Sequence, residues 1–227
     1  MEWVLVAVVA AGVGLFGARH WRRARTVERD RLAELEVARQ LADEDVTVLG
    51  EQLARLDAEV ADHPLDEAAR LEYQTALDAH ESARRAVPRL ADAQEVSQVS
   101  DTLTAGRFAL ACVQARVAGR PLPERRTPCF FNPQHGPAAE DVAFTPRGHG
   151  TRIVPACAQD AARVRNGERP DLRRVRVSGQ LLPYWEAGAA YLPYGQNHFT
   201  EAVLLASPQW RVGDGGISGI GGLGGGG

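Results

Sequence analysis

The first twenty residues constrain this chain more than any other segment, because residues 3–18 carry no charged or strongly polar side chain. Trp3 and Trp21 bracket this apolar run, and indole rings favour the headgroup layers at the two faces of a bilayer. Their spacing of 18 residues corresponds to roughly 27 Å along a helix, close to the hydrocarbon thickness of a membrane. We therefore predict a single transmembrane anchor over residues 1–21, with residues 3–18 in contact with lipid.

The charges around this run predict its orientation. Glu2 is the only charged side chain before it, whereas four arginines follow it directly: Arg19, Arg22, Arg23 and Arg25. Because positive charge stays on the cytoplasmic side, we predict a single-pass protein of the cell membrane with a cytoplasmic body. A cleavable signal peptide is the alternative, although such peptides carry their positive charge before the apolar core.

Two patterns of small residues in the same segment suggest other uses. Residues 12–17, Gly-Val-Gly-Leu-Phe-Gly, match the glycine fingerprint of dinucleotide-binding folds, which requires alternating strands and helices after it. About a hundred residues with helical periodicity follow instead, so we predict no cofactor-binding residues. Ala10, Gly14 and Ala18 recur every four positions and would let two anchors pack closely, which leaves a homodimer or another protein partner open.

Three amphipathic helices are predicted over residues 22–119. Nine positions follow alternating steps of three and four, and all except Arg39 are apolar: 32, 35, 39, 42, 46, 49, 53, 56 and 60. This seam is typical of a coiled coil, and Pro64 limits its length. A helix over residues 65–87 and another from about Val96 to Val117 follow. The short connections predict an antiparallel helical bundle or coiled-coil hairpin, with the charged residues as a solvated coat.

The composition changes after Gly119, where seven prolines fall within 35 positions. The predicted elements are strands at 129–131, 142–145, 151–154, 175–177 and 181–185, and a helix at 155–166. We therefore expect a small β-hairpin-plus-helix domain over residues 120–210. The fold class is then mainly α with a small α+β module, and residues 211–227 are a disordered glycine-rich tail.

Two cysteines in this module stand where a zinc module has paired ligands. Cys129-Phe-Phe-Asn132 and Cys157-Ala-Gln-Asp160 have the spacing of two Cys-x-x-Cys pairs, and the order of knuckle, hairpin and helix resembles a treble-clef zinc domain. Each pair lacks its second cysteine, so the sequence favours a metal-free remnant. A zinc site stays open as an alternative, with His149 as a further candidate beside the predicted ligands Cys129, His135, Cys157 and Asp160. A disulfide between the two cysteines is the reading for an exported body.

Segments between about residues 42 and 194 resemble one family. They are 44–46 (Glu-Asp-Val), 106–112 (Gly-Arg-Phe-Ala-Leu-Ala-Cys), 121–126 (Pro-Leu-Pro-Glu-Arg-Arg), 129–136 (Cys-Phe-Phe-Asn-Pro-Gln-His-Gly) and 183–188 (Pro-Tyr-Trp-Glu-Ala-Gly). Over about two thirds of its length, the chain resembles uncharacterised single-pass membrane-anchored proteins of high-GC actinobacteria. The resemblance implies the same layout, and it brings no activity, ligand or partner.

The sequence holds no nucleophile elbow, P-loop, zinc-protease or kinase motif, so we predict no enzyme and no catalytic residue. The net charge of −3 disfavours nucleic acid as a partner. The first hypothesis is a membrane-tethered cytoplasmic interaction or scaffold protein. The second is a metal-binding or thiol redox-sensing module on a membrane anchor. An enzyme with a Cys–His site comes third, because nothing in the sequence orients the base.

We expect a reporter fused after Gly227 to be active in the cytoplasm, because the arginines that follow the anchor oppose translocation of the body. Two fusions measure this orientation, one with a reporter that works only inside the cell and one with a reporter that works only outside. Activity of the external reporter alone would contradict the cytoplasmic orientation and would favour the disulfide.

Overall fold

The computed structural model describes residues 2–146, 150–177 and 179–186, with residues 2–20, 22, 24, 93 and 177 described by their backbone alone. Within these ranges the chain is mainly helical, with four α-helices and two antiparallel hairpins. The predicted class of a helical protein with a small α+β module is therefore confirmed. The predicted tail at 211–227 lies outside the described residues.

Helix α1 runs without interruption from Glu2 to Val60, a length of 59 residues. Among the residues whose side chains are described, no helix combines the length and the apolar character that a membrane span requires. The predicted anchor at residues 3–18 falls on positions described by their backbone alone, and it stays a prediction. The helix ends before Pro64, as the sequence predicts, since proline has no N–H to continue a helix.

The C-terminal half of α1 carries the predicted apolar seam, whose buried residues are Ala42, Val46, Leu49, Leu53, Leu56 and Val60. The prediction is wrong at the start of the seam, because Leu32 is 56% exposed and Leu35 is only half-buried. The connection between the next two helices meets α1 at Arg39, whose Nε donates to the carbonyl oxygen of Leu90 at 2.9 Å. Leu35 is the first described residue of α1 that packs against the core, and residues 21–34 extend beyond the packed part of the bundle.

Two further helices complete the bundle, α2 (Glu67–Ala86) and α3 (Ala93–Val117). Asp66 and Asp92 cap their N-termini, and each carboxylate accepts a hydrogen bond from the backbone N–H three residues later. Gly119 follows α3 with a φ of +61°, a conformation that favours glycine. The three predicted helices and their short connections are thus confirmed.

Gly106 allows α3 to pass closely over both other helices. A Cβ atom at this position would lie 2.8 Å from the Cβ atom of Ala79 on α2 and 3.2 Å from a methyl group of Leu49 on α1. Any side chain would force these helices apart, because helix interfaces are packed as densely as crystals. Because Gly106 has no side chain, α3 can lie at this short distance from α1 and α2.

The module after Gly119 contains β1 (Glu140–Phe144), β2 (Arg152–Ala156), α4 (Ala158–Arg165), β3 (Arg174–Val177) and β4 (Gln180–Pro183). Strand β1 pairs with β2 and β3 pairs with β4, both antiparallel. The predicted strand at 129–131 is wrong. Pro128 makes a single bridge to Pro137, and the chain between them turns through a 3-10 turn, Pro133–His135.

Aromatic rings form the core of this module. The rings of Phe130 and Trp185 are stacked with centroids 4.8 Å apart, and the hydroxyl of Tyr184 donates to the carbonyl oxygen of Phe130 at 2.8 Å. Phe131 meets Phe144 edge to face at 4.9 Å. Tyr184 and Trp185 are buried and therefore belong to the core rather than to an exposed aromatic surface.

We expect Leu53→Asp to lower the free energy of unfolding by roughly 3–5 kcal/mol, because it buries a charge without a partner. Leu53 is 4% exposed, whereas Leu71 on α2 is 69% exposed, so Leu71→Asp is the matched control. Urea unfolding followed by circular dichroism measures both variants. Equal midpoints for the two would contradict burial of the seam.

Candidate metal centre

Cys129 and His135 come from the tight turn that precedes the first hairpin. The backbone N–H of Cys129 donates to the carbonyl oxygen of Gly136 at 3.0 Å, which closes the turn. Inside it, Asn132 Oδ1 accepts a hydrogen bond from the backbone N–H of Gln134 at 3.0 Å and so caps the 3-10 turn. This geometry turns His135 back toward Cys129.

Cys157 and Asp160 come from the first turn of α4. Cys157 is the N-cap residue, and its Sγ accepts a hydrogen bond from the backbone N–H of Asp160 at 3.5 Å. An N-cap residue and the residue three positions later lie on one face of a helix. Cys157 is 9% exposed and Asp160 has no exposed surface, so both side chains face the interior of the module.

The side chains of Cys129, His135, Cys157 and Asp160 converge, and their ligand atoms all lie within 4.8 Å of one another. Asp160 Oδ2 lies 3.0 Å from His135 Nδ1 and 3.5 Å from the Sγ atom of each cysteine. Cys157 Sγ lies 3.6 Å from His135 Nδ1. The structure therefore brings together the four residues predicted as ligands, in a cluster that can hold a metal ion.

These separations resemble the edges of a tetrahedral zinc site. With bonds of about 2.3 Å to sulfur and about 2.1 Å to nitrogen or oxygen, tetrahedral angles place sulfur about 3.6 Å from the other ligands. Three of the five separations that involve sulfur are 3.5, 3.5 and 3.6 Å, and the remaining two, from Cys129 Sγ to Cys157 Sγ and to His135 Nδ1, are at most 4.8 Å. The separation of 3.0 Å between His135 and Asp160 is shorter than the roughly 3.4 Å of a tetrahedral edge and is also a hydrogen-bond distance.

A second layer of contacts fixes the Asp160 carboxylate. Its Oδ1 accepts hydrogen bonds from Arg163 Nη1 at 2.7 Å and from the backbone N–H of Asp171 at 2.8 Å. Oδ2 is thereby left to face the two sulfur atoms and the imidazole. Arg163 lies one turn further along α4, so the helix supplies both the buried anion and a cation that balances it.

The outer nitrogen of His135 is held as well. Its Nε2 lies 3.4 Å from Asp171 Oδ2 and 3.2 Å from Asn132 Nδ2. A histidine that binds metal usually donates its second ring N–H to a carboxylate, which fixes the ring and its tautomer. Asp171 can accept that bond when Nδ1 faces a metal ion, whereas Asn132 can donate to Nε2 in the other tautomer.

The surroundings give the two thiols different acidities. A hydrogen bond from the Cys129 thiol lowers the pKa of Cys157 to about 5, and His135 contributes in the same direction. The same interaction, together with burial, raises the pKa of Cys129 far above its ordinary value. Burial opposes protonation of His135, but the Cys157 sulfur and the carboxylates of Asp160 and Asp171 outweigh it and raise the pKa of this histidine. Cys157 is therefore the more acidic of the two thiols, and it lies beside an imidazole whose pKa is raised.

Other candidate residues lie outside the ligand set. Asn132 occupies the second position of a Cys-x-x-Cys pair, yet its side chain contacts the outer nitrogen of His135. His149 lies outside the described residues. Arg163 and Asp171 were not among the residues predicted from the sequence. Arg163 could have been found from its spacing of three after Asp160, whereas Asp171 follows the helix with no periodic relation to the site.

Comparison with known proteins adds no family to this geometry. No family model, no curated protein and no solved structure matches the chain. The resemblances to membrane-anchored actinobacterial proteins and to treble-clef modules therefore stay predictions from the sequence. The interpretation of the cluster rests on its own distances, burial and charges.

Proposed function

We propose that the chain is a zinc-stabilised interaction protein, in which one Zn²⁺ bound by Cys129, His135, Cys157 and Asp160 holds the small module against the helical bundle. The observation that carries this proposal is the convergence of four ligand atoms within 4.8 Å of one another, with three of the separations to sulfur close to tetrahedral edges. The turn and the helix that supply them stand before and after the first hairpin, which is the order expected of a treble-clef domain.

The donor atoms favour zinc over other common ions. Two sulfur ligands with one nitrogen and one oxygen suit a borderline-soft cation, whereas Mg²⁺ and Ca²⁺ take sites made of oxygen. The charges also balance. Two thiolates and one carboxylate carry three negative charges, and Zn²⁺ together with Arg163, 2.7 Å from Asp160, supplies three positive ones.

A structural role fits this site better than a catalytic one. Catalytic zinc keeps one coordination position open to water, whereas four protein ligands close a tetrahedral ion. Cys129 and Asp160 have no exposed surface, so water reaches neither of them. The metal would contribute folding energy, and function would belong to the surface that the folded module presents to a partner. The predicted anchor in residues 3–18 would tether that surface to the cytoplasmic face of the membrane.

One observation favours a thiol-based alternative. Cys157, unlike Cys129, borders a groove of about 530 Å³ between α3 and the module, and His135 lines the same groove. A thiolate next to an imidazolium whose other nitrogen faces a carboxylate is the arrangement of a reactive cysteine. The position of Asp160 argues against this alternative. Its Oδ2 lies 3.5 Å from the Cys157 sulfur, and a carboxylate at that distance disfavours the negative charge of a thiolate. Metal content separates the two functions.

We expect the full-length protein, purified in detergent without chelators, to contain one zinc ion per chain by elemental analysis. Cys157→Ser should lose the zinc and lower the melting temperature, because metal-binding energy in a small module is folding energy. Cys112→Ser is the matched control, since Cys112 is also buried but lies on α3, outside the cluster. It should keep its zinc.

Thiol counts complete the measurement. In the zinc form, both cluster cysteines should resist a thiol reagent until a chelator is added. A chain that binds no zinc on reconstitution, or a Cys157→Ser variant that retains a full equivalent, would contradict the metal site. Two protected thiols with a mass lower by two hydrogens would show a disulfide instead.

A further inference from the structure

Helix α1 contributes a buried carboxylate directly behind the candidate metal centre. Asp45 is 3% exposed, although it stands on a helix whose charged residues the sequence analysis assigned to a solvated coat. A carboxylate is buried in this way only where donors and cations surround it. The groups that surround Asp45 therefore indicate what the residue holds together.

The first partner is the turn that carries His135. Gln134 Nε2 donates to Asp45 Oδ1 at 2.7 Å, and the carbonyl oxygen of Gln134 accepts a hydrogen bond from Gln52 Nε2 at 2.8 Å. Asp45 and Gln52 are seven residues apart, two helical turns, and so lie on one face of α1. Helix α1 thus holds the residue next to His135 at two points.

The second partner comes from the segment that supports Asp160. Arg173, two residues after Asp171, is buried and forms an ion pair with Asp45 Oδ1. The same guanidinium donates to the carbonyl oxygen of Leu41 at 3.4 Å. The backbone N–H of Arg173 donates to the carbonyl oxygen of Phe131 at 2.9 Å, which joins this segment to the turn that contains Cys129.

Helix α3 closes the cluster from the other side. Arg107 Nη2 donates to the backbone carbonyl oxygen of Asp45 at 3.0 Å and lies 4.0 Å from its carboxylate. Glu44 lies 3.8 Å from Arg173, so two carboxylates face two guanidinium groups. Glu44 is about half exposed, whereas Asp45, Arg107 and Arg173 are buried, so displacing Asp45 would leave buried guanidinium groups without their carboxylate.

We propose that Asp45 couples zinc binding to the docking of helix α1 on the module. The inference rests on the proposed zinc site. One segment that contacts Asp45 carries the metal ligand His135, and the other carries Asp171, whose backbone N–H donates to Asp160. Zinc fixes both segments, and this places Gln134 and Arg173 where Asp45 needs them. The two events are thermodynamically linked. If bound zinc favours the docking of α1 by a given factor, then docked α1 raises the affinity of the site for zinc by the same factor. Asp45 is a positioning residue that touches no ligand atom.

The consequence is a chain whose longest helix responds to zinc. Gln134 follows the knuckle cysteine by five residues, whereas Asp45 lies 89 residues before Gln134, so the coupling joins distant parts of the sequence. Docking of α1 also involves Leu41, which is buried beside the apolar seam and whose carbonyl oxygen accepts a hydrogen bond from Arg173. Loss of zinc would release this face of α1 while α2 and α3 still cover the seam.

Hydrogen exchange on the full-length protein in detergent tests this coupling. Removal of zinc with a chelator should speed exchange in residues 129–136, and also in α1 around residues 41–53. Helix α2 should change least, because the described partners of Asp45 come from α3 and from the segments at Gln134 and Arg173, and none of them from α2. Exchange that rises in the module while α1 stays unchanged would overturn the coupling and leave the zinc site standing.

Two variants and a control make the test quantitative. Asp45→Asn should lower zinc affinity about tenfold, the usual loss when a group that orients a ligand is removed, and should make exchange in α1 independent of zinc. Gln134→Ala keeps the Asp45–Arg173 pair and should weaken zinc binding by a smaller factor, which covers the case of a poorly folded Asp45→Asn. Asp43→Asn, on the exposed face of the same helix, should bind zinc as the wild type does.

Competition with a chromophoric chelator measures these affinities. Wild-type affinity in both Asp45→Asn and Gln134→Ala would overturn the coupling. A variant that loses stability in the zinc-free state but keeps its affinity for zinc would assign Asp45 a purely structural role and would overturn it too. A wild-type chain that binds no zinc would remove the proposed zinc site itself, and the coupling with it.

Discussion

The buried carboxylate of Asp160 governs the module, because an anion without exposed surface requires compensation on every side. A guanidinium and a backbone N–H satisfy one of its oxygens, and an imidazole and two thiols surround the other. This arrangement joins the turn after Pro128 to the first turn of α4 and to the segment at Asp171. Three separate pieces of chain therefore meet at one carboxylate.

The same requirement recurs where the module meets the bundle. Two hairpins and one helix of eight residues bury little apolar surface, and isolated two-stranded sheets are marginally stable. Their aromatic core is continuous with the core of the bundle, and the Asp45–Arg173 ion pair lies at the junction. The module is therefore best understood as a cap on the helical bundle rather than as an independent domain. A metal ion would supply the remaining stability that so small a core lacks.

The sequence predicts the parts of this structure that depend on local patterns. Apolar periodicity identified all three helices of the bundle, and Pro64 and Gly119 marked two of their ends. The period could not show that Leu32 is exposed, because exposure there depends on how far the other helices reach. Charge patterning failed at Asp45 and Arg107, since their burial results from contacts across 62 positions, with each other, and across 128 positions, between Asp45 and Arg173.

The candidate site was predictable to the same degree. Cys-x-x spacing identified Cys129, Cys157 and Asp160, and proximity along the chain added His135. The outer contacts were not predictable, because Asp171 reaches His135 only after the chain has folded back past α4. The absent second cysteines argued for a metal-free remnant. In three dimensions, Asp160, at the second position of its pair, and His135, three residues after Asn132, converge with the two cysteines where further sulfur atoms would be expected.

The continuity of α1 has a mechanical consequence. Residues 21–34 form a stretch of helix whose described side chains are exposed, and at 1.5 Å per residue it is roughly 21 Å long. With residues 3–18 embedded in lipid as predicted, this stretch would act as a stiff spacer that fixes the height of the bundle above the headgroups. A partner within that height would meet the module, and one lying flat on the bilayer would not. The length of a single helix would then select partners by their distance from the membrane.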